Sequence, residues 1–141
     1  MTRVDFYVLK AGCRGNRYTL AARLAEKAWH HGHRVLIAVS DEEEQRHMNR
    51  LLWTWRDTSF IPHGLIHEAD PALNPVLITL DDAADEHDVL INLQQQVPGF
   101  FSRFERVAEC VDHEEPLRQA SRERYRFYRE RGYPLHTHEV A

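Results

Sequence analysis

The stretch from Arg17 to Val39 reads RYTLAARLAEKAWHHGHRVLIAV, and its two halves decide the fold class. In the first half Leu20, Ala21, Leu24, Ala25, Ala28 and Trp29 recur at helical spacing and make one apolar stripe on an amphipathic helix. Gly32 follows where a left-handed cap ends a helix without a Cβ penalty. The second half, Arg34 to Val39, is a strand whose residues Val35, Leu36, Ile37 and Val39 are nearly continuous in apolar character. A strand apolar on both faces belongs to a parallel sheet covered on both sides.

Working outward, Val4 to Leu9 is a short aromatic and β-branched run and reads as a strand. Lys10 to Asn16, with Gly12 and Gly15, is the loop between that strand and the helix. Beyond Val39, Ser40 and Glu43 have capping-box spacing, and Asp41 and Glu42 suit the positive end of a helix dipole. The predicted helix runs from Asp41 to about Trp55 and buries Met48, Leu51, Leu52 and Trp55. Arg56 to Pro75 carries Pro62, Gly64, Pro71 and Pro75 and reads as a long irregular connection, a feature that in a small domain is usually functional. Val76 to Leu80, Val89 to Leu93 and a segment around Arg106 to Val111 are further strands, separated in the first case by an acidic loop from Asp81 to Asp88. The last helix is marked by Glu114 and Glu115 in its first turn, Pro116 early and Gly132 at its stop. Strands alternating with helices predict one α/β domain over residues 1–141, with right-handed crossovers, a mostly parallel sheet of five or more strands, and helices on both faces.

The 141 residues are 43% hydrophobic and 28% charged, an ordinary globular mixture with enough chain for a core. No apolar run is long enough to span a bilayer, and Asp5 interrupts the only early apolar stretch, so neither a membrane span nor a signal peptide is expected. The expected location is the cytoplasm, where Cys13 and Cys110 would be free thiols. The formal net charge of -4 argues against a protein whose main task is gripping a phosphate backbone.

Catalytic and cofactor motifs are weak. Gly12 and Gly15 invite a nucleotide-binding reading, because a helix N-terminus after a glycine loop holds phosphate. They match neither the dinucleotide fingerprint nor the P-loop, so a small nucleotide-binding enzyme or regulator is the alternative rather than the leading reading. Among ten histidines, His30, His31 and His33 cluster without the i, i+4 pairing of helical metal ligands. His136 and His138 lie near the chain end, where disorder is common. No cofactor or metal is expected.

Two segments rise above this background. Leu51 to Leu65 reads LLWTWRDTSFIPHGL, and Trp53 is out of phase with the Met48, Leu52, Trp55 stripe. Those aromatics either pack under the sheet or, with Trp53 outward near Phe60 and Pro62, form a small apolar anchor pocket. In the final helix Arg118, Arg122, Arg126 and Arg129 recur at helical spacing, with Arg124 and Arg131 beside them and Tyr125, Phe127 and Tyr128 interleaved. This is either a solvated face partly neutralised by Glu123 and Glu130, or an anion-binding strip whose guanidinium forks suit carboxylates.

These same segments resemble the chi subunit of bacterial DNA polymerase III. The resemblance rests on LLW and SFIPH in Leu51 to Leu65, on Arg122 to Arg129 (Arg-Glu-Arg-Tyr-Arg-Phe-Tyr-Arg) followed by Gly132 and Tyr133, and on Phe6 to Leu9, Gly32 to Leu36 and Asp88 to Leu93. It covers about the whole chain in order. It implies a Rossmann-like domain without nucleotide chemistry, in a subunit that is not itself an enzyme. It implies partnership with the psi subunit of the clamp loader and with the acidic, phenylalanine-ending tail of single-stranded DNA-binding protein (SSB), with DNA met only indirectly. Carried over by position, Trp53 and Phe60 match the pocket region, Arg122 a key basic residue and Arg126 another basic position, with Arg124 and Tyr125 in the same stretch.

Overall fold

The computed structural model describes residues 2–55, 62–65, 74–80 and 86–140. Seven strands form one sheet: β1 (Arg3–Leu9), β2 (Val35–Ala38), β3 (His63–Leu65), β4 (Val76–Thr79), β5 (Val89–Asn92), β6 (Arg106–Val111) and β7 (Leu135–Val140). Their order across the sheet is β3-β4-β2-β5-β6-β1-β7, and every pairing is parallel. The helices are α1 (Arg17–His30), α2 (Glu42–Trp53) and α3 (Glu115–Glu130).

The continuous apolar strands sit at the centre, as their two-sided character requires. Val35, Ile37, Val76, Ile78, Val89 and Ile91 face α1 and α2, where Leu20, Ala21, Ala25, Met48 and Leu52 cover them. Leu36, Ala38, Leu77, Leu90, Phe6 and Val107 face the other way, toward Tyr128 of α3 and the short 3-10 turn Phe101–Arg103. Gly32 has φ +82, so the left-handed stop after α1 forms where the sequence puts it.

The structure departs from the sequence reading in three places. The N-cap of α2 is Asp41, not Ser40: its carboxylate accepts from Glu44 N–H at 2.8 Å, while Glu44 reaches back to Ser40 N–H at 2.7 Å. The connection expected to be irregular contains β3, which extends the sheet beyond β4. The chain end expected to be disordered is β7, six residues laid parallel to β1.

Candidate peptide-binding site

In an open parallel sheet the usual ligand position lies beyond the C-terminal ends of the strands, where neighbouring crossovers leave on opposite faces. Here β1 leads to α1 on one face and the adjacent β6 leads to α3 on the other. The crevice beside this point has a volume of about 440 Å3 and is lined by Arg17, Tyr18, Glu44, Asp112 and Arg124 among others. Its anion-binding groups are already taken. Asn16 caps α1, accepting from Tyr18 and Thr19 N–H at 3.0 Å. The next donor, Arg17 N–H, gives its hydrogen to Asp112 at 3.1 Å, and the Arg17 guanidinium lies between Asp112 and Glu44. A carboxylate of the protein thus stands where a nucleotide phosphate would sit, and Gly12, with φ +85, serves the turn.

A second hollow is built on the α3 face near the opposite end of the strand order from β3. Its floor is Phe6 and Val8 of β1 with Val111 of β6; its walls are Arg118, Ser121, Arg122 and Tyr125 of α3, and Thr137 of β7. The volume is about 200 Å3, below the roughly 300–1,000 Å3 of a typical small-molecule pocket, so it suits one inserted side chain. Tyr125 meets Phe6 edge-on at 5.2 Å. Arg118 is fixed in the wall by bonds from Nε to the His113 carbonyl and from Nη2 to the Leu9 carbonyl. Arg122 is exposed, and its Nη1 donates to Glu115 at 2.9 Å and to Gln119 at 3.1 Å. Arg126 is exposed one turn farther along α3. Arginines rimming an apolar floor can hold a carboxylate beside a buried hydrophobic group.

Arg124 is a correction to the sequence reading. It is only 6% exposed and does not belong to the basic rim. Its Nε donates to fully buried Glu109 at 2.8 Å, and its Nη1 to the Gln95 carbonyl. Tyr128 O–H and Asn92 Nδ2 also donate to Glu109, at 2.7 and 2.9 Å. Burial pushes the Glu109 carboxyl upward, opposed by Arg124, Tyr128 and Asn92. The helical period explains the placement: Arg124 and Tyr128 are four apart and point at the sheet together, whereas Arg118, Arg122 and Arg126 run along another side of the helix.

Trp53 is the second correction. It is 58% exposed, the one large hydrophobic residue so exposed among the described residues, and its ring meets His63 of β3 at 5.2 Å. But α2 covers β3 and β4 on the α1 face, while the arginines lie on the α3 face over β1 and β6. Five strand spacings separate β3 from β1, about 24 Å. The fold therefore does not unite Trp53 and the arginines in one pocket. Phe60 lies outside the described residues. Sequence reasoning missed the pocket floor, because Phe6 and Val8 read simply as core, and missed Thr137, because LHTHEV lacks an apolar period.

The fold is a Rossmann-like α/β domain, with its phosphate position filled from within and a side-chain-sized hollow rimmed by arginine. The family model for the DNA polymerase III chi subunit, HolC, matches residues 1–136, and the chain belongs to that family. It is 45% identical over 141 residues to DNA polymerase III subunit chi of Pseudomonas aeruginosa, covering 99% of this chain and 98% of that one. The Haemophilus influenzae subunit chi is 32% identical over 139 residues, covering 97% and 96%. That of Escherichia coli K12 is 35% identical over 120 residues, covering 84% and 82%. Among solved structures, that of T4 UvsW matches with a TM-score of 0.67 at 9% identity, covering 99% of this chain and 41% of that one, a likeness of fold alone.

Proposed function

We propose that the chain is a non-catalytic adaptor of the polymerase III holoenzyme, joining the clamp loader through psi to SSB through the acidic tail of the latter, in the cytoplasm. The observation that carries the tail reading is the hollow over Phe6, Val8 and Val111 with Arg118 and Arg122 on its rim. The tail's terminal phenyl ring enters the hollow beside Tyr125, and its carboxylates meet Arg122 and Arg126. Burying one phenylalanine side chain contributes about 1.5–3 kcal/mol. With charge-assisted bonds added, micromolar affinity, about -8 kcal/mol, is within reach. Trp53, at the far edge and on the other face, is free of this task; its exposed indole is suited to anchor psi. DNA is reached only through SSB.

The test is calorimetric titration with two peptides, an acidic SSB tail ending in phenylalanine and the same peptide lacking that residue. Salt-sensitive binding of the first alone supports the reading. Equal binding of both, or of neither, sinks the pocket assignment.

A further inference from the structure

Strand β7 is an edge of the sheet, and the side of it that faces outward is tied to the pocket. Val4 N–H donates to the Pro134 carbonyl and Lys10 N–H to the Val140 carbonyl, which fixes the ladder's phase. With Val4 opposite Leu135, the even-numbered residues His136, His138 and Val140 turn their backbone groups toward β1. The odd-numbered residues Leu135, Thr137 and Glu139 therefore turn N–H and C=O away from the sheet. Thr137 is also the residue whose side chain walls the pocket. A run of outward N–H and C=O groups is a template for an added strand, and β7 has neither a lysine nor an internal proline to block one.

The geometry points to a peptide that binds as an eighth strand on β7, its last side chain crossing Thr137 into the pocket. This inference rests on the tail-binding reading and names how the tail's backbone is held. The occupant follows from the continuity of edge and pocket and from charge. Arg122 and Arg126 line the same face, and Glu139, the acidic residue of β7, is already opposed by Lys10 at 3.6 Å. Strand addition supplies affinity through the main chain and leaves specificity to the pocket, a recurring mode of peptide capture.

Residue-resolved amide hydrogen exchange on the full chain, with and without the phenylalanine-ending acidic peptide, tests this. Slowing by tenfold or more at the Thr137 and Glu139 amides, with little change at His136 and His138, is the expected pattern. A peptide N-methylated at alternate residues upstream of the phenylalanine should bind at least severalfold more weakly for one alternate set than for the other. If the parent peptide binds and yet the Thr137 and Glu139 amides exchange as before, the edge proposal is overturned while the pocket stands. Absence of binding by the parent peptide removes both. Protection that appears without peptide and grows with protein concentration assigns the edge to a second copy of the chain, and overturns the proposal too.

Discussion

Replacing Arg122 with alanine isolates the rim of the pocket. A hydrogen bond to a charged group contributes about 1.5–3 kcal/mol. The Arg122 side chain is 56% exposed, so water screens it, and about 1–1.5 kcal/mol is the better figure. That corresponds to roughly five- to twelvefold weaker tail binding. The free protein already pairs Arg122 with Glu115, also exposed, and on the proposed reading a bound tail would displace it. Such a surface pair contributes about 0–1 kcal/mol, so Glu115→Gln should tighten binding by up to about fivefold, the opposite sign at a neighbouring site. Calorimetric titration of both variants at low and high salt reads the two effects, with thermal unfolding as a control for the fold. Both differences should shrink as salt rises. Equal affinity for Arg122→Ala and the parent chain at low salt would refute the assignment of the rim, and weaker binding by Glu115→Gln would refute the displacement.

Trp53→Ala should leave tail affinity unchanged and weaken capture of psi by about 30-fold or more, a hot-spot loss; a weaker grip on the tail would put Trp53 back at the pocket. Glu109→Ala strands Arg124 and unpairs Tyr128, and should cost about 3–5 kcal/mol in urea unfolding; a loss below 1 kcal/mol would show the network to be dispensable. Burial by itself would raise the Asp5 carboxyl, but His138, Arg3 and Arg106 outweigh it and hold it below the ordinary carboxylate range. A depressed folded value contributes stability that is complete above the unfolded value of about 3.9 and is lost as pH falls below it. Asp5→Asn should therefore lose less stability than the parent between about pH 5 and pH 3, and parallel melting curves over that window would contradict the pairing.

The centre of this fold is legible because its strands have no choice of face. Val35 to Ala38, Val76 to Thr79 and Val89 to Asn92 are each buried along their whole length, and a nearly unbroken apolar run declares that directly. The edges obey other rules. β3 is only three residues long, and the polar LHTHEV of β7 buries little, so backbone pairing, not side-chain pattern, makes them strands. The site divides the same way. Arg122 and Arg126 are exposed, as the basic stripe suggests, but Arg124 lies on the opposite side of the helix, and its partners, the Glu109 carboxylate on β6 and the Gln95 carbonyl, account for its burial. Glu109 in turn reads from sequence as one more charge in a strand. Trp53 is outward by helical phase, yet its distance from the arginines depends on strand order, which local spacing does not encode.

That strand order also bears on how the proposed adaptor would work. The Trp53 surface and the arginine pocket share no residue, lie on opposite faces, and are joined by a continuous parallel sheet. Sites so far apart without a common partner are energetically independent to within a few tenths of a kcal/mol. On the proposed reading both would be filled at once, with neither occupant tightening or loosening the other. The tail contact is then governed by its own pocket. At micromolar affinity, with association near 10^5–10^7 per molar per second, about 0.1–10 releases per second follow. A clamp-loader assembly held at the Trp53 end by a larger apolar contact would keep its adaptor while exchanging tails on that timescale. Saturating the chain with psi should therefore leave both the affinity and the release rate of the tail peptide unchanged, and a shift of more than about twofold in either would mean that the sheet couples its two ends.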